Sequence, residues 1–399
     1  MLLKGLRVIE LATYIAAPGA AAMMADWGAD VIKVESPAGD PMRNYLGAQN
    51  PPDFDPVFAV DNRGKRAMVV DTRQEEGRAV VLKLLETADV LITNLRPSQL
   101  SKSGFDYKAL KDKFPRLIHA TITGYGLEGP EADRAAMDMA AFWARSGVTH
   151  LLTARDAEPL LPRLGMGDHI TAVTIVAGVM GALYEREKTG RGRQVEASLY
   201  RAAMYSVSSE MAIQLELGRL ASTRPRRRAV NPLGNYFKTS DGHWLMILTK
   251  RSREEWDAYC EIIQRPELEH DERFATRGAR VKNQEELMDI LDEGFAKRTL
   301  AEVSAILDAH DMVWSPVQSA AESLADRVAM DTGFIQELTL ENGRVAKTTG
   351  APLRFPGTDD GPKGLLPKLG EHTSAILKEL GYSQSEIDAL LAKSAVKQS

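Results

Sequence analysis

Through about its first 122 residues the chain alternates short apolar runs with helix-length segments, and this alternation restricts its fold more than any other feature. Leu6–Leu11 reads as a strand. Pro18 to Trp27 reads as a helix, since proline suits a first helical position. Gly28 ends that helix, and Val31–Val34 is a second strand. The pattern repeats as a strand at Met68–Val70, a helix over Glu75–Thr87 and a strand at Val90–Thr93. A helix over Tyr107–Lys113 and a strand at Leu117–Ile122 follow. Such alternation predicts an open α/β sheet with ligands at the strand ends.

The loop after the first strand, Ala12–Gly19, lacks the G-x-G-x-x-G spacing, so a dinucleotide cofactor is unsupported. Further on, Ile170–Lys188 predicts a long helix of small residues, Gln194–Ser198 a strand and Leu199–Leu217 a helix. Residues 218–235 are basic and weakly periodic, and read as a linker. Two strands around Asp241-Gly242, then helices near Glu254–Ile263, Gln284–Ala296 and Leu300–Ala309, suggest a smaller α+β domain. From about Ser319 the chain reads as loop-rich, closing with helices at Ser374–Leu380 and Gln384–Lys393.

Composition narrows the function. The 399 residues are 44% hydrophobic, enough for a large core and two domains. The formal net charge is -5 and no long basic stripe is present, which argues against nucleic acid as a partner. The dense cluster Arg224, Arg226, Arg227 and Arg228 reads as a solvated linker, with an anion contact as the lesser reading. Cys260 is the single cysteine, so no disulfide forms within the chain, and its helical surroundings point to burial. The N-terminus runs straight into a strand, unlike a signal peptide, and no eighteen consecutive residues are apolar. A cytoplasmic protein without a membrane span is therefore expected. No histidine pairs with another histidine or a cysteine at metal-ligand spacing, so no metal site is expected.

Three positions carry candidate chemistry. Gly165-Met166-Gly167-Asp168-His169 puts a carboxylate on a glycine-flanked loop ahead of the long helix. Capping free backbone amides is the commoner role of an aspartate there. The same amides and the helix dipole favour the ionised form, a competent nucleophile toward an activated acyl group. Asp138 lies in an apolar run with Phe142 and Trp143, where it reads as a helix start or as a buried acid or substrate contact. Asn94 follows a parallel strand, the usual ligand edge, although a turn asparagine is commoner there than a ligand contact.

Together these segments resemble the class III coenzyme A-transferase family, of the CaiB/BaiF type. The resemblance rests on Gly5–Leu11, Ala16-Ala17-Pro18, Asp26–Glu35, Asn62–Arg66, Thr93-Asn94, Gly104-Phe105, Ile122–Gly126, Gly167–His169, Glu185–Gly192 and Leu369–Thr373, in order along nearly the whole chain. It implies a Rossmann-like large CoA-binding domain built from both chain ends, 1–217 and 319–399, the latter including a return linker. A linker at 218–235 leads to a small α+β domain at 236–318, and two chains interlock as linked rings in a homodimer. It implies that Asp168 attacks an acyl-CoA thioester, giving an acyl-aspartyl anhydride and then an aspartyl-CoA thioester, with amides near the loop stabilising the oxyanion. Coenzyme A is then a substrate, and no tightly bound cofactor is expected. CoA contacts carry over to Thr13, Ile15, Ala16, Val70, Asn94, Leu95 and Lys102, and the substrate pocket to Asp138 and Trp143. The block around Asp138 looks most like the branch acting on 2-hydroxyacyl and 2-enoyl acids. The alternatives are an α-methylacyl-CoA racemase, which carries a histidine at the position of Asp138, and a non-catalytic CoA-binding protein.

Overall fold

The computed structural model describes residues 1–49, 54–249, 255–358, 361, 364 and 366–399; Glu254, the expected start of one helix, lies outside them. In chain order the regular elements begin with β1 (Arg7–Leu11), α1 (Ala16–Asp26), β2 (Asp30–Glu35), α2 (Pro56–Asn62), β3 (Arg66–Val70) and α3 (Glu75–Leu85). Then come β4 (Val90–Thr93), α4 (Pro97–Ser103), α5 (Tyr107–Leu110), β5 (Ile118–Thr123), a π-helical turn at Met139–Ala144, and α6 (Val148–Leu152). The long helix α7 (Met166–Thr189) leads to β6 (Gln194–Ser198), α8 (Leu199–Ser206) and α9 (Ser208–Leu217). The remainder comprises β7 (Tyr236–Lys238), β8 (Trp244–Leu248), α10 (Trp256–Ile262), α11 (Arg277–Lys282), α12 (Gln284–Phe295), α13 (Leu300–Ala309) and β9 (Val313–Pro316). Last are α14 (Ala320–Ala325), α15 (Arg327–Asp331), β10 (Ile335–Thr339), β11 (Val345–Thr349), α16 (Thr373–Glu379), α17 (Gln384–Ala392) and β12 (Val396–Lys397).

Met1–His150, Leu160–Arg219 and Met330–Ser399 form one compact unit, and Leu151–Pro159 with Leu220–Ala329 form a second. The first is built on a seven-stranded sheet in the order β12-β3-β2-β1-β4-β5-β6. β1 to β6 are parallel, and β12 adds antiparallel to β3. Apart from β12 this is the doubly wound order, which reverses between β1 and β4. The central strands carry buried apolar residues on both faces, as a doubly covered parallel sheet requires, whereas the edge strand β6 is polar on one face. Val8, Val31, Val90 and Ile92 pack on α1 and α7, while Ile9, Ile32, Met68 and Leu91 pack on α3, α16 and α17. α1 consists almost wholly of small residues and is buried along its whole length.

Several boundaries differ from the sequence expectation. α1 begins at Ala16, so Pro18 is its third residue, tolerated because first-turn amides have no intrahelical acceptor. The expected helix Leu199–Leu217 is broken at Val207 into α8 and α9. The stretch after Ser319 holds the β10–β11 hairpin, paired from Ile335↔Thr349 to Thr339↔Val345, where loop was expected. Its Glu341-Asn342-Gly343-Arg344 turn is a hairpin signal that the sequence does carry. By length and a hydropathy of 1.4, α7 also qualifies as a membrane-crossing helix, although it holds no eighteen consecutive apolar residues. Its Ala172, Ile175, Val176 and Val179 are packed into the core beside α1.

A buried charge cluster lies beneath the carboxyl ends of β1 and β2. Glu10, Lys33, Lys65 and Asp40 all have side chains at 0% exposure. Lys33 Nζ donates to Glu10 Oε1 at 2.6 Å and Asp40 Oδ2 at 2.8 Å. Lys65 Nζ donates to Glu10 Oε2 at 2.5 Å and to the Pro18 carbonyl at 2.9 Å. Burial presses the Lys33 ammonium pKa down, and the carboxylates of Glu10, Asp40 and Glu35 more than reverse this. Lys65 is brought down to about 8, because burial and the neighbouring Lys33 outweigh its pairing with Glu10.

The second unit carries the antiparallel sheet β7-β8-β9 and an aromatic core of Phe237, Trp256, Tyr259 and Phe295. Cys260 is buried there, its thiol pushed up to about 12 by burial, which suits packing and not nucleophilic attack. The arginine cluster is largely solvated, as expected, but three of its members are engaged in ion pairs. Arg226, Arg227 and Arg228 pair with Asp292, Asp289 and Glu285 of α12; only Arg226 of the cluster is half-buried, and Arg224, Arg227 and Arg228 stay exposed.

Removing one partner of a buried ion pair leaves an uncompensated charge, at a cost of about 3–5 kcal/mol. Glu10→Gln strips the anion shared by two buried lysines and is expected to lower unfolding free energy by that amount. Urea denaturation followed by circular dichroism checks it; an unchanged midpoint would contradict the structural role given to the cluster.

Candidate active site

A doubly wound sheet opens a crevice where its strand order reverses. Here the crevice lies between the loops that follow β1 and β4. Asn94 ties these loops together: its Oδ1 accepts from Thr13 N at 3.1 Å, and its Nδ2 donates to Thr13 O at 2.6 Å. The next residue, Tyr14, has φ 65°, a left-handed conformation uncommon outside glycine. Its amide donates to Asp40 Oδ1 at 3.2 Å, so the Lys33–Asp40 pair anchors the strained loop. The resulting cleft of about 360 Å³ is lined by Thr13, Tyr14, Ile15, Ala16, Asn94, Leu95, Arg96, Arg134, Met137 and Asp168, among others.

Of the other CoA positions carried over from sequence, Val70 lies in an adjoining cavity of about 120 Å³, to which Thr13 and Leu95 also contribute. Lys102 is exposed in the last turn of α4 and lines neither space. Arg96 and Arg134, which the sequence reading passed over, supply positive charge to the cleft instead.

Asp168 does not sit on a loop before the helix, and it does not cap it. Gly165 adopts φ 74° as the N-cap residue, so α7 begins at Met166 and Asp168 falls in its first turn with no side-chain capping bond. The helix dipole favours its ionised form. Burial nevertheless pushes its pKa up to about 7, helped by the Asp138 and Asp61 carboxylates and opposed by His169. The sequence reading weighed only the helix terminus and missed this opposition.

Asp138 is 7% exposed. Its Oδ2 accepts from Gly167 N at 3.3 Å, so that amide is already engaged and is not a free oxyanion donor. Its Oδ1 and the Trp143 indole nitrogen are buried without a well-aligned partner among the described residues, although the indole lies near enough to favour the ionised Asp138. Burial raises the Asp138 pKa, while Gly167 N–H and His169 favour its ionised form. Trp143 is 4% exposed and packs with Phe142, Val148 and Leu199; it does not itself line the cleft, though Leu199 does. Gly167 allows this approach: a Cβ there would stand 2.3 Å from both Asp138 Oδ1 and Phe142 Cγ.

Two residues not singled out from sequence complete the arrangement. His169 Nε2 lies 3.1 Å from Asp61 Oδ1; the histidine side chain is 48% exposed and the aspartate 5%. The hydrogen bond to Asp61 raises the His169 pKa against burial. Asp61 immediately precedes the Asn62–Arg66 block, so the signal stopped one residue short.

The sequence model of CoA-transferase family III matches residues 3–373. The chain is 33% identical over 393 residues to an (R)-2-hydroxy-4-methylpentanoate CoA-transferase of Clostridioides difficile, covering 97% of this chain and 98% of that protein. It is 32% identical over 392 residues to a cinnamoyl-CoA:phenyllactate CoA-transferase of Clostridium sporogenes, covering 97% and 95%. A solved CaiB/BaiF family protein from Brucella suis superposes with a TM-score of 0.83 at 32% identity, covering 94% of this chain and 98% of that one.

Overpacking a tight site costs about 1–3 kcal/mol. Gly167→Ala is expected to lose at least that much and to displace Asp138. Gly181→Ala in the same helix, with nothing within 4 Å of the added Cβ, should be neutral or stabilising. Comparing the two urea midpoints tests whether close approach or helix propensity governs these glycines.

Proposed function

The chain belongs to CoA-transferase family III and is a CoA-transferase, and on that premise we propose that Asp168 is its nucleophile. The observation that carries this reading is the placement of Asp168: in the first turn of α7, uncapped, partly exposed, and on the wall of the crevice at the sheet's switch point. Such a crevice is the expected ligand position in this architecture, and the cleft lining includes Thr13, Ile15, Ala16, Asn94 and Leu95. CoA occupies this cleft in our reading, with its phosphates toward Arg96 and Arg134.

In the first step an Asp168 oxygen attacks the thioester carbonyl carbon. The C–S bond breaks, and the CoA thiolate leaves with the electron pair. The thiolate then attacks the aspartyl carbonyl of the mixed anhydride, forming aspartyl-CoA and releasing the donor's acyl group as a carboxylate. The acceptor carboxylate attacks this aspartyl thioester, forming a new anhydride and freeing the thiolate again. Attack of the thiolate on the acceptor's acyl carbon gives the product thioester and restores the Asp168 carboxylate. Covalent catalysis of this kind replaces one difficult exchange with several easier steps.

The relatives named for 2-hydroxy-4-methylpentanoate and for cinnamoyl and phenyllactate favour 2-hydroxy acids and their enoyl partners as the acids exchanged. Ala136, Met137 and Leu199 give the cleft an apolar wall that suits such aliphatic or aromatic side chains, with Phe142 and Trp143 packed behind it. A cytoplasmic, interlocked homodimer belongs to the same reading. The carboxylate at position 138, where the racemase alternative requires a histidine, disfavours that alternative.

Incubation with (R)-2-hydroxy-4-methylpentanoyl-CoA and hydroxylamine, followed by mass spectrometry, is expected to give a modified Asp168 peptide. Asp168→Ala should lose transfer by about 10⁴-fold or more, as nucleophile deletions do; transfer surviving in this variant would sink the mechanism. The attacking form is the carboxylate and its pKa is raised to about 7, so kcat/KM should fall as pH drops through that value. A flat profile between pH 5 and pH 8 is the contrary result.

A further inference from the structure

Asp168 faces two other carboxylates, Asp138 and Asp61, and one basic group, His169, which follows it directly in α7. An isolated exposed histidine beside a nucleophile would mean little. Three elements, however, fix this one. Its Nε2 is held at 3.1 Å by Asp61 of α2, a residue whose own side chain is 5% exposed. Gly19 of α1 leaves the room for the pair: a Cβ there would stand 2.9 Å from Asp61 Oδ1 and 3.6 Å from His169 Cδ2. Gly165 closes the third side, where an added Cβ would lie 3.5 Å from His169 Cε1. Asp61 is fixed in turn from below, because its backbone carbonyl accepts from Lys65 of the buried charge cluster. Arg63 lines the same neighbouring cavity as Asp61 and His169, but its guanidinium is committed to the buried Asp26.

Resting on Asp168 being the nucleophile, we propose that His169 is a positioning residue. Clamped by Asp61, it holds a positive charge against Asp168 and so keeps this carboxylate available for attack. The pair is oriented like a carboxylate–imidazole couple, with Asp61 holding one ring nitrogen and the half-exposed ring lining the cavity next to the cleft, one residue along α7 from Asp168. It offsets the repulsion that Asp138 imposes on Asp168. The groups facing His169 are Asp61 on α2, Asp168 on its own helix and Asp138 ahead of the π-helical turn, and all three carboxylates favour its protonated form. Lys65 faces Asp61 from the side of the charge cluster.

The test is a direct titration of Asp168 in the ligand-free enzyme. Protein labelled with carboxyl-¹³C aspartate is followed by NMR against pH, with the Asp168 signal identified by its loss in Asp168→Asn. In His169→Gln the Asp168 midpoint is expected to rise by about one pH unit, a tenfold change in the ionisation constant. The acid limb of kcat/KM with (R)-2-hydroxy-4-methylpentanoyl-CoA should move by the same amount. His169→Lys, which restores a cation, should return both toward wild type. An Asp168 midpoint that stays put in His169→Gln overturns the proposal, even if the variant is less stable or slower at every pH. A midpoint that moves as expected, in an enzyme that forms no acyl-aspartyl adduct, supports the His169–Asp61 pair and refutes the nucleophile.

Discussion

Glu10 is the interaction on which the rest of this structure depends. It is the next-to-last residue of β1, among apolar side chains, and is shared by Lys33 of β2 and by Lys65, which precedes β3. Lys33 carries the cluster on to Asp40, and Lys65 reaches the Pro18 carbonyl in the first turn of α1. One carboxylate thus locks together three strand ends and the helix that begins the first crossover. Buried charges are costly unless every polar atom is matched. The matching here selects one register of β1, β2 and β3, and one path for the loop that walls the cleft.

The same cluster reaches the site by two routes. Through Asp40 it holds the Tyr14 amide and the left-handed turn beside the cleft. Through Lys65 it holds the Asp61 carbonyl, and Asp61 holds His169. The surroundings of Asp168 are thus set by fixed charges at some remove from it. Asp168 itself lies between opposed influences, with burial and two carboxylates on one side and His169 with the helix terminus on the other.

Much of the architecture was legible because its signals are local. The strands Val90–Thr93 and Gln194–Ser198 stand as the apolar and alternating runs imply, since their periodicity depends only on neighbours in the chain. Helix α13 likewise matches Leu300–Ala309, fixed by the Thr299–Glu302 capping box. The misses are where tertiary contact decides. β12 is two residues long and exists because Val396 finds Val70 at the sheet edge. The pairing of the solvated Arg226–Arg228 run was likewise not legible, because nothing in the sequence joins it to Asp292, Asp289 and Glu285 some sixty residues away.

By itself, the sequence determined the order of strands and helices, the family, and the presence of a carboxylate at position 168 near the start of a helix of small residues. Which role that carboxylate takes was decided only in three dimensions. Capping depends on a turn that local geometry can supply, and Gly165 starts the helix too early for Asp168 to provide it. The charge state depends on Asp138, Asp61 and His169. Asp138 and Asp61 lie 30 and 107 residues from Asp168 in the chain, and electrostatic coupling follows distance in space through a poorly screening interior.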